Sequence, residues 1–275
     1  MTSPKVGYQG EPGAFSEQAV RTLFPSAGTV PIRTLRQVFE ELEHGRIEHG
    51  VVPLENSLAG SINETYDLLS AGKAFVVGEV VISVHHALLA LPGTRLQDVK
   101  RVSSHPQALA QCQEFLATLD AEAVPVYDTA GAAKRIAEER REGEAAIASE
   151  EAAAIYELDV LARRIQTSPH NRTRFAAIAP EFVPLGVADK TSLLLELRHE
   201  PGALYRGLRP FADRGLNLSK LESRPIGDRP WEYWFYLDVQ AGIDDPALTE
   251  ALSELERASG RVQVVGSYAR WPEGS

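Results

Sequence analysis

Through residue 180 the chain alternates short apolar, β-rich runs with longer stretches whose apolar positions recur at helical spacing, the pattern of an α/β sheet with crossover helices. Residues 6–9 form a short strand, and Glu11-Pro12-Gly13 turns the chain into a helix with Phe15, Ala19 and Leu23 on one face. Thr34 with Gln37 makes a capping box ahead of Leu35, Val38, Phe39 and Leu42, and Gly45 closes that helix. Residues 50–54 are a buried strand, after which Ser61 with Glu64 repeats the capping box before Tyr66, Leu68 and Leu69. The longest β-rich run, 75–91, is two strand segments or one bent strand crossing between lobes. A strand at 100–103 leads into a helix opened by Ser104-His105-Pro106-Gln107, with proline in its first turn. A strand at 124–127, a helix over 129–141, a strand at 145–148, a helix through Ile155 and a strand at 174–179 follow. This order predicts two lobes, the chain passing out to the second at about residues 80–160 and then returning.

Pro180, Pro184 and Gly186 interrupt any period, which sets a linker at 181–190 between a first domain, 1–180, and a second, 191–275. In the second, a strand at 192–198 precedes a helix at 202–214 with Leu204, Leu208 and Phe211 on one face. Strands at 216–226 and 231–239, joined by the turn Gly227-Asp228-Arg229-Pro230, precede a helix at 247–258 and a strand at 261–268. The order βαββαβ is ferredoxin-like.

Composition narrows the function without naming it. A length of 275 residues with 44% hydrophobic and 24% charged content fits two ordinary cores. A net charge of −10 leaves no basic surplus to displace counterions from nucleic acid, although a pocket can still be locally positive for an anionic substrate. The single cysteine, Cys112, excludes an internal disulfide and a multi-cysteine metal cage, and Leu109, Leu116 and Leu119 beside it at helical spacing mark it as core. The start lacks a signal-peptide run, and no stretch reaches the roughly 18 apolar residues of a membrane span. The cytoplasm is the expected compartment, with neither membrane nor nucleic acid as partner.

Polar clusters fall where open parallel sheets bind ligands, beyond the carboxyl ends of strands. Gly10-Glu11-Pro12-Gly13-Ala14-Phe15-Ser16 offers helix-start amides for a carboxylate or phosphate, and lacks the lysine of a P-loop. Asn56 and Ser57, in Pro53-Leu54-Glu55-Asn56-Ser57, offer neutral donors after a strand. A donor-rich loop runs Thr167-Ser168-Pro169-His170-Asn171-Arg172-Thr173-Arg174-Phe175, and Gln111 flanks a helix stripe behind Ser104-His105-Pro106-Gln107. Taken singly, each also fits a structural role: a capped turn, an asparagine-stabilised turn, a solvated loop, a surface glutamine. His85 and His86 face opposite ways on a β-rich run, so one is buried. No histidine and carboxylate group has metal-ligand spacing.

Together these clusters resemble prephenate dehydratase in order and spacing. The matching segments are Gly13-Ala14-Phe15-Ser16, Val52-Pro53-Leu54-Glu55-Asn56-Ser57 with Gly60-Ser61-Ile62-Asn63, Ser104-His105-Pro106-Gln107, and Asn171-Arg172-Thr173-Arg174-Phe175. Pro201-Gly202-Ala203-Leu204 and Glu222-Ser223-Arg224-Pro225 extend the likeness to the C-terminal region. The resemblance implies a two-lobed catalytic domain like periplasmic binding proteins, with the active site in the interlobe cleft, followed by an ACT regulatory domain. It further implies decarboxylating dehydration of prephenate to phenylpyruvate in phenylalanine biosynthesis, with no cofactor or metal.

By the same resemblance Thr173 is catalytic, and Gly13, Ala14, Phe15, Ser16, Asn56, Ser57, Ser104, Gln111, Arg174 and Phe175 hold the substrate. Gly202, Ala203, Leu204, Asn217, Leu218, Glu222, Ser223 and Arg224 form the region for an amino-acid effector, expected to be L-phenylalanine, in a homodimer or homotetramer built through the ACT domain. Tyr205 stands where that motif usually carries valine. Arogenate dehydratase, the same chemistry on an aminated substrate, and a noncatalytic amino-acid sensor are the alternatives.

Overall fold

The computed structural model describes residues 3–226, 229–258 and 261–271. Contacts divide it into two compact units that interleave in sequence, Met1–Thr65 with Val80–Phe175, and Tyr66–Glu79 with Ala176–Ser275.

The first part of the chain runs β1 (Lys5–Gln9), α1 (Phe15–Leu23), β2 (Gly28–Ile32), α2 (Leu35–Glu43), β3 (His49–Asn56) and β4 (Gly60–Ser61). Next come α3 (Asn63–Ser70), β5 (Phe75–Ser83), β6 (Ala87–Ala90), β7 (Arg101–Ser104), α4 (Pro106–Gln111), α5 (Gln113–Leu116) and β8 (Glu122–Pro125). Then α6 (Thr129–Glu138), β9 (Glu144–Ala148), α7 (Glu150–Ile155), β10 (Asp159–Ala162) and β11 (Arg172–Ala179) close this stretch. β1 lies between β2 and β3, parallel to both. A second sheet has the order β10-β6-β9-β7-β8, so this unit has the two lobes the alternating pattern predicts.

The helix signals hold locally. Thr34 accepts from the Gln37 amide at 3.2 Å, and Gly45 takes φ +66° past the end of α2. Pro106 occupies the first turn of α4, and the His105 side chain accepts from Gln107 N. Cys112 is fully buried among Leu88, Val102, Ala108 and Ile147, with Leu109, Leu116 and Leu119 packed against it. Burial pushes its thiol up to about 12, so it stays protonated and inert.

Two strands escape the sequence pattern. β2 contains Pro31 and lies at the edge of its sheet, where a missing N–H breaks no ladder. β10 is an edge strand whose pairing with β6 shifts register between Val160 and Ala162. Ser61, expected as a helix cap, belongs to β4, and β8 ends at Pro125 rather than running to Tyr127.

The C-terminal part runs β12 (Lys190–Glu196), α8 (Ala203–Ala212), β13 (Leu218–Ile226), β14 (Arg229–Val239), α9 (Pro246–Ala258) and β15 (Arg261–Tyr268). The sheet order β13-β14-β12-β15 is that of a ferredoxin-like fold. The expected turn at residues 227–230 begins with Gly227 and Asp228, which lie outside the described residues. Leu193, Leu195, Phe211, Leu237, Leu248 and Leu255 fill the core between sheet and helices. A charged cluster is buried in the same unit. Lys190 Nζ donates to Glu79 Oε2 at 2.8 Å and lies 3.4 Å from Asp238 Oδ2. Ser192 Oγ donates to Asp238 Oδ1 at 2.6 Å and meets the Tyr268 hydroxyl at 2.8 Å. Both expectations of fold class, the α/β two-lobed unit and the βαββαβ unit, are met.

Among the described residues no helix is long and apolar enough to cross a membrane.

Candidate active site

The first unit holds a cavity of about 160 Å³ lined by segments far apart in sequence, including Phe15, Asn56, His86, Gln111, Thr173 and Phe175. Its geometry starts at a hairpin. β3 and β4 pair Asn56 with Gly60 across residues 57–59, and Gly60 takes φ +81°, a backbone conformation glycine adopts without a Cβ clash. Across this loop Asn56 Oδ1 accepts from the backbone N–H of Leu58 at 3.1 Å and of Ala59 at 3.0 Å. Those two amides settle which end of the carboxamide is oxygen, because neither can accept. Asn56 Nδ2 therefore faces inward, 2.8 Å from Asn171 Oδ1, 3.0 Å from Thr173 Oγ1 and 3.1 Å from Arg172 O.

Thr173 is 8% exposed. With Asn56 donating into its oxygen, the hydroxyl proton is left to point elsewhere, and it meets no acceptor among the described residues. Strand alternation on β11 puts Thr173 and Phe175 on the cavity side and Arg174 on the other. Arg174 pairs with Glu55 at 3.0 Å and does not line the cavity.

Gln111 extends the chain of carboxamides. Asn171 Nδ2 donates to Gln111 Oε1 at 2.8 Å, and His86 Nε2 lies 2.9 Å from the same oxygen. The Nε2 groups of Gln107 and Gln111 reach Asn56 Oδ1 only at 3.4 and 3.5 Å, contacts too long to hold them. Both are available to a ligand. His86 and His105 are each shifted down by burial, against the Gln111 hydrogen bond in the first case and the Asp128 charge in the second. The lining thus presents neutral donors and, among the described residues, no carboxylate.

The helix start at α1 serves in part. Gly13 N donates to Glu17 Oε2 at 2.7 Å and Ala14 N to Glu11 O at 3.1 Å, so these two amides, expected as ligand donors, are spent within the loop. The amides of Phe15 and Ser16 have no acceptor among the described residues and border the cavity. Gly13 itself is needed for close approach: a Cβ there would lie 2.7 Å from Ala152 Cα, and its φ is +87°.

Two expected substrate ligands prove structural. Ser57 is exposed, donates to His170 O at 2.9 Å and accepts from Arg172 N at 3.0 Å, clipping the loop that carries Asn171. Ser104 is fully buried and donates to Ile147 O at 2.6 Å, tying β7 to β9. Asn171 and His86 complete the network. The sequence marks Asn171 only as part of Asn171-Arg172-Thr173-Arg174-Phe175, and His86 only as one of two adjacent histidines of which one is buried.

In the second unit Gly202 takes φ +76° as the residue before α8. Ala203 and Leu204 line a recess of about 160 Å³ with Trp231, Tyr233 and Phe235. Asn217 lies beyond the far end of α8, where its Nδ2 donates to Gln240 Oε1 at 2.9 Å. The register pairs Leu218 with Val239 and Thr191 with Val239, whereas Glu196 pairs with Trp234. Gly202 and Asn217 therefore stand toward opposite ends of the strands, whose length from Thr191 to Glu196 is about 17 Å. Glu222 pairs with Lys220, and Arg224 with Asp67, both at 3.0 Å, and Ser223 is exposed.

Residues 6–182 match the family model of prephenate dehydratase, and residues 191–257 that of the ACT domain. A relative from Arabidopsis thaliana named arogenate dehydratase/prephenate dehydratase 2, chloroplastic, is 42% identical over 96% of this chain and 72% of its own. Among solved structures, one described as GqqA, a novel type of quorum quenching acylase, is 35% identical with a TM-score of 0.89, covering 98% of each chain. A prephenate dehydratase from Arthrobacter aurescens in complex with L-Phe is 34% identical with a TM-score of 0.88, covering 97% of this chain and 90% of that one.

Proposed function

The chain belongs to the prephenate dehydratase family, and we propose that it converts prephenate to phenylpyruvate, carbon dioxide and water in phenylalanine biosynthesis, as a cytoplasmic enzyme. The balance requires one proton: a dianion becomes a monoanion, a neutral gas and water, so the leaving hydroxyl must be protonated. Aromatisation drives the rest. Thr173 answers that need. A free alcohol is a poor acid, far from the pKa of about 7 that suits general catalysis. Donation from Asn56 into Oγ1 polarises the hydroxyl and aims its proton into the cavity, so Thr173 hydrogen-bonds the departing oxygen or relays a proton to it. This arrangement, a hydroxyl oxygen that accepts from Asn56 and keeps an unspent proton in a shared cavity, carries the assignment.

The unspent amides of Gln107, Gln111, Phe15 and Ser16 would hold the carboxylates, and Phe15 and Phe175 would exclude water, which favours loss of a carboxylate as neutral gas. Prephenate is favoured over arogenate because the lining offers no carboxylate to meet an ammonium. The acylase activity named for one relative needs a nucleophile beside a base, and the partner of Thr173 is a carboxamide that cannot take its proton.

Residues 1–180 would be the catalytic domain, 181–190 the linker and 191–275 the regulatory domain. An amino-acid effector, L-phenylalanine by analogy with the liganded relative, would bind between copies. Gly202 and Asn217 lie at opposite sheet ends, so a site using both takes one from each chain of a homodimer, doubled or not to a tetramer. The deciding experiment measures turnover on prephenate and on arogenate, in parallel, with and without phenylalanine. Turnover on arogenate alone would reassign the substrate, and silence on both would leave the sensor.

A further inference from the structure

His86 is 3% exposed, its ring lines the cavity, and it meets Phe15 edge-on with centroids 5.7 Å apart. Its protonation follows from the hydrogen bonds leading to it. The Leu58 and Ala59 amides fix Asn56 Oδ1 as an acceptor, so Asn56 Nδ2 donates to Asn171 Oδ1. Asn171 must then offer Nδ2 to Gln111, which makes Gln111 Oε1 an acceptor. The imidazole nitrogen 2.9 Å from that oxygen, Nε2, has to carry the hydrogen. Nδ1 holds the lone pair, and among the described residues it is buried without a partner.

A leucine would fill this space without leaving a nitrogen unpaired, and a buried polar atom without a partner costs stability. Histidine here is better explained by what Nε2 does than by packing. The terminal torsion of glutamine is broad, so its amide plane is not set by rotamer preference. It is set by the two hydrogen bonds that Oε1 accepts.

We propose that His86 is a positioning residue for the dehydration: Nε2–H, together with Asn171, pins Gln111 Oε1 so that the Gln111 NH2 is presented to the substrate. This rests on the cavity being the site of turnover.

The test uses the full chain. His86→Phe keeps the ring and its edge contact but removes the donor, whereas His86→Gln supplies an amide N–H to the same oxygen. His86→Phe should lose about 10–100-fold in kcat/KM on prephenate, much of it through KM, with melting above pH 7 and phenylalanine binding little changed. His86→Gln should recover most of that loss. Imidazole nitrogen-15 shifts of the wild-type chain should show Nε2 protonated and Nδ1 not, a readout independent of activity and of whether the variants fold. Turnover of His86→Phe within about twofold of wild type, His86→Gln as impaired as His86→Phe, or the opposite tautomer overturns the inference while leaving the activity standing. A wild-type chain silent on both prephenate and arogenate overturns the activity itself, and this role with it.

Discussion

Two buried polar clusters in this molecule are built on opposite plans. Around Lys190 the groups are charged and spent on one another: the ammonium meets two carboxylates, and Ser192 and Tyr268 complete the circuit. Around Asn56 the groups are neutral and capacity is left over: the Thr173 proton, the amides of Gln107 and Gln111, the free nitrogen of His86. A closed charged cluster fixes structure, because each member is already compensated. An open neutral one can exchange its unspent donors for a ligand without first breaking strong bonds. The contrast teaches that burial of polar groups does not by itself mark a site. What marks it is unspent hydrogen-bonding capacity in a place a small molecule can enter.

The largest effect expected is at the closed cluster. Lys190→Met takes an ammonium away from two buried carboxylates, Glu79 and Asp238, and should cost about 3–5 kcal/mol of stability, seen as a lowered denaturation midpoint of the full chain. A midpoint near wild type would mean that the two clusters do not differ as described. Next, Thr173→Ala should lower kcat by about 10²–10³ with little change in melting, and phenylalanine binding should survive. Normal turnover would take the catalytic role from Thr173.

Acid should expose the third difference. Burial shifts His49, His86 and His105 below their ordinary 6.5. Their neutral forms are favoured in the folded chain, so the stability they contribute is present above that value and is lost as pH falls through it toward their lowered folded values. Asp128 is shifted up by burial, so its contribution runs the other way and grows as acid rises. The melting temperature should therefore fall as pH drops from about 7 to about 5, and His86→Phe should flatten part of that fall. The smallest effect belongs to a surface pair: Arg224→Ala, which removes a half-exposed contact to Asp67, should change stability by less than about 1 kcal/mol.

Much of the architecture was legible locally. The Thr34 cap, the Pro106 helix start, the Cys112 core and the βαββαβ order follow from nearest-neighbour chemistry, which a sequence states directly. β2 and β10 were not legible, since an edge strand with a proline or a register shift carries no alternation. In the site, Asn56, Gln111, Phe15, Phe175 and Thr173 line one cavity. Ser57, Ser104 and Arg174 belong to the same motifs but turn to other tasks, because neighbours on a strand or loop point to different sides.

The sequence alone determined which side chains were available, in what order, and how each segment curls, since caps, turns and apolar periods depend on residues within a few positions. Only the tertiary structure decided which of those side chains meet and which way each hydrogen bond runs. Asn56, His86, Gln111 and Asn171 come from four distant segments, and the proton on His86 Nε2 is fixed by amides at Leu58 and Ala59. Hydrogen-bond direction is a property of the closed network, so no segment carries it by itself.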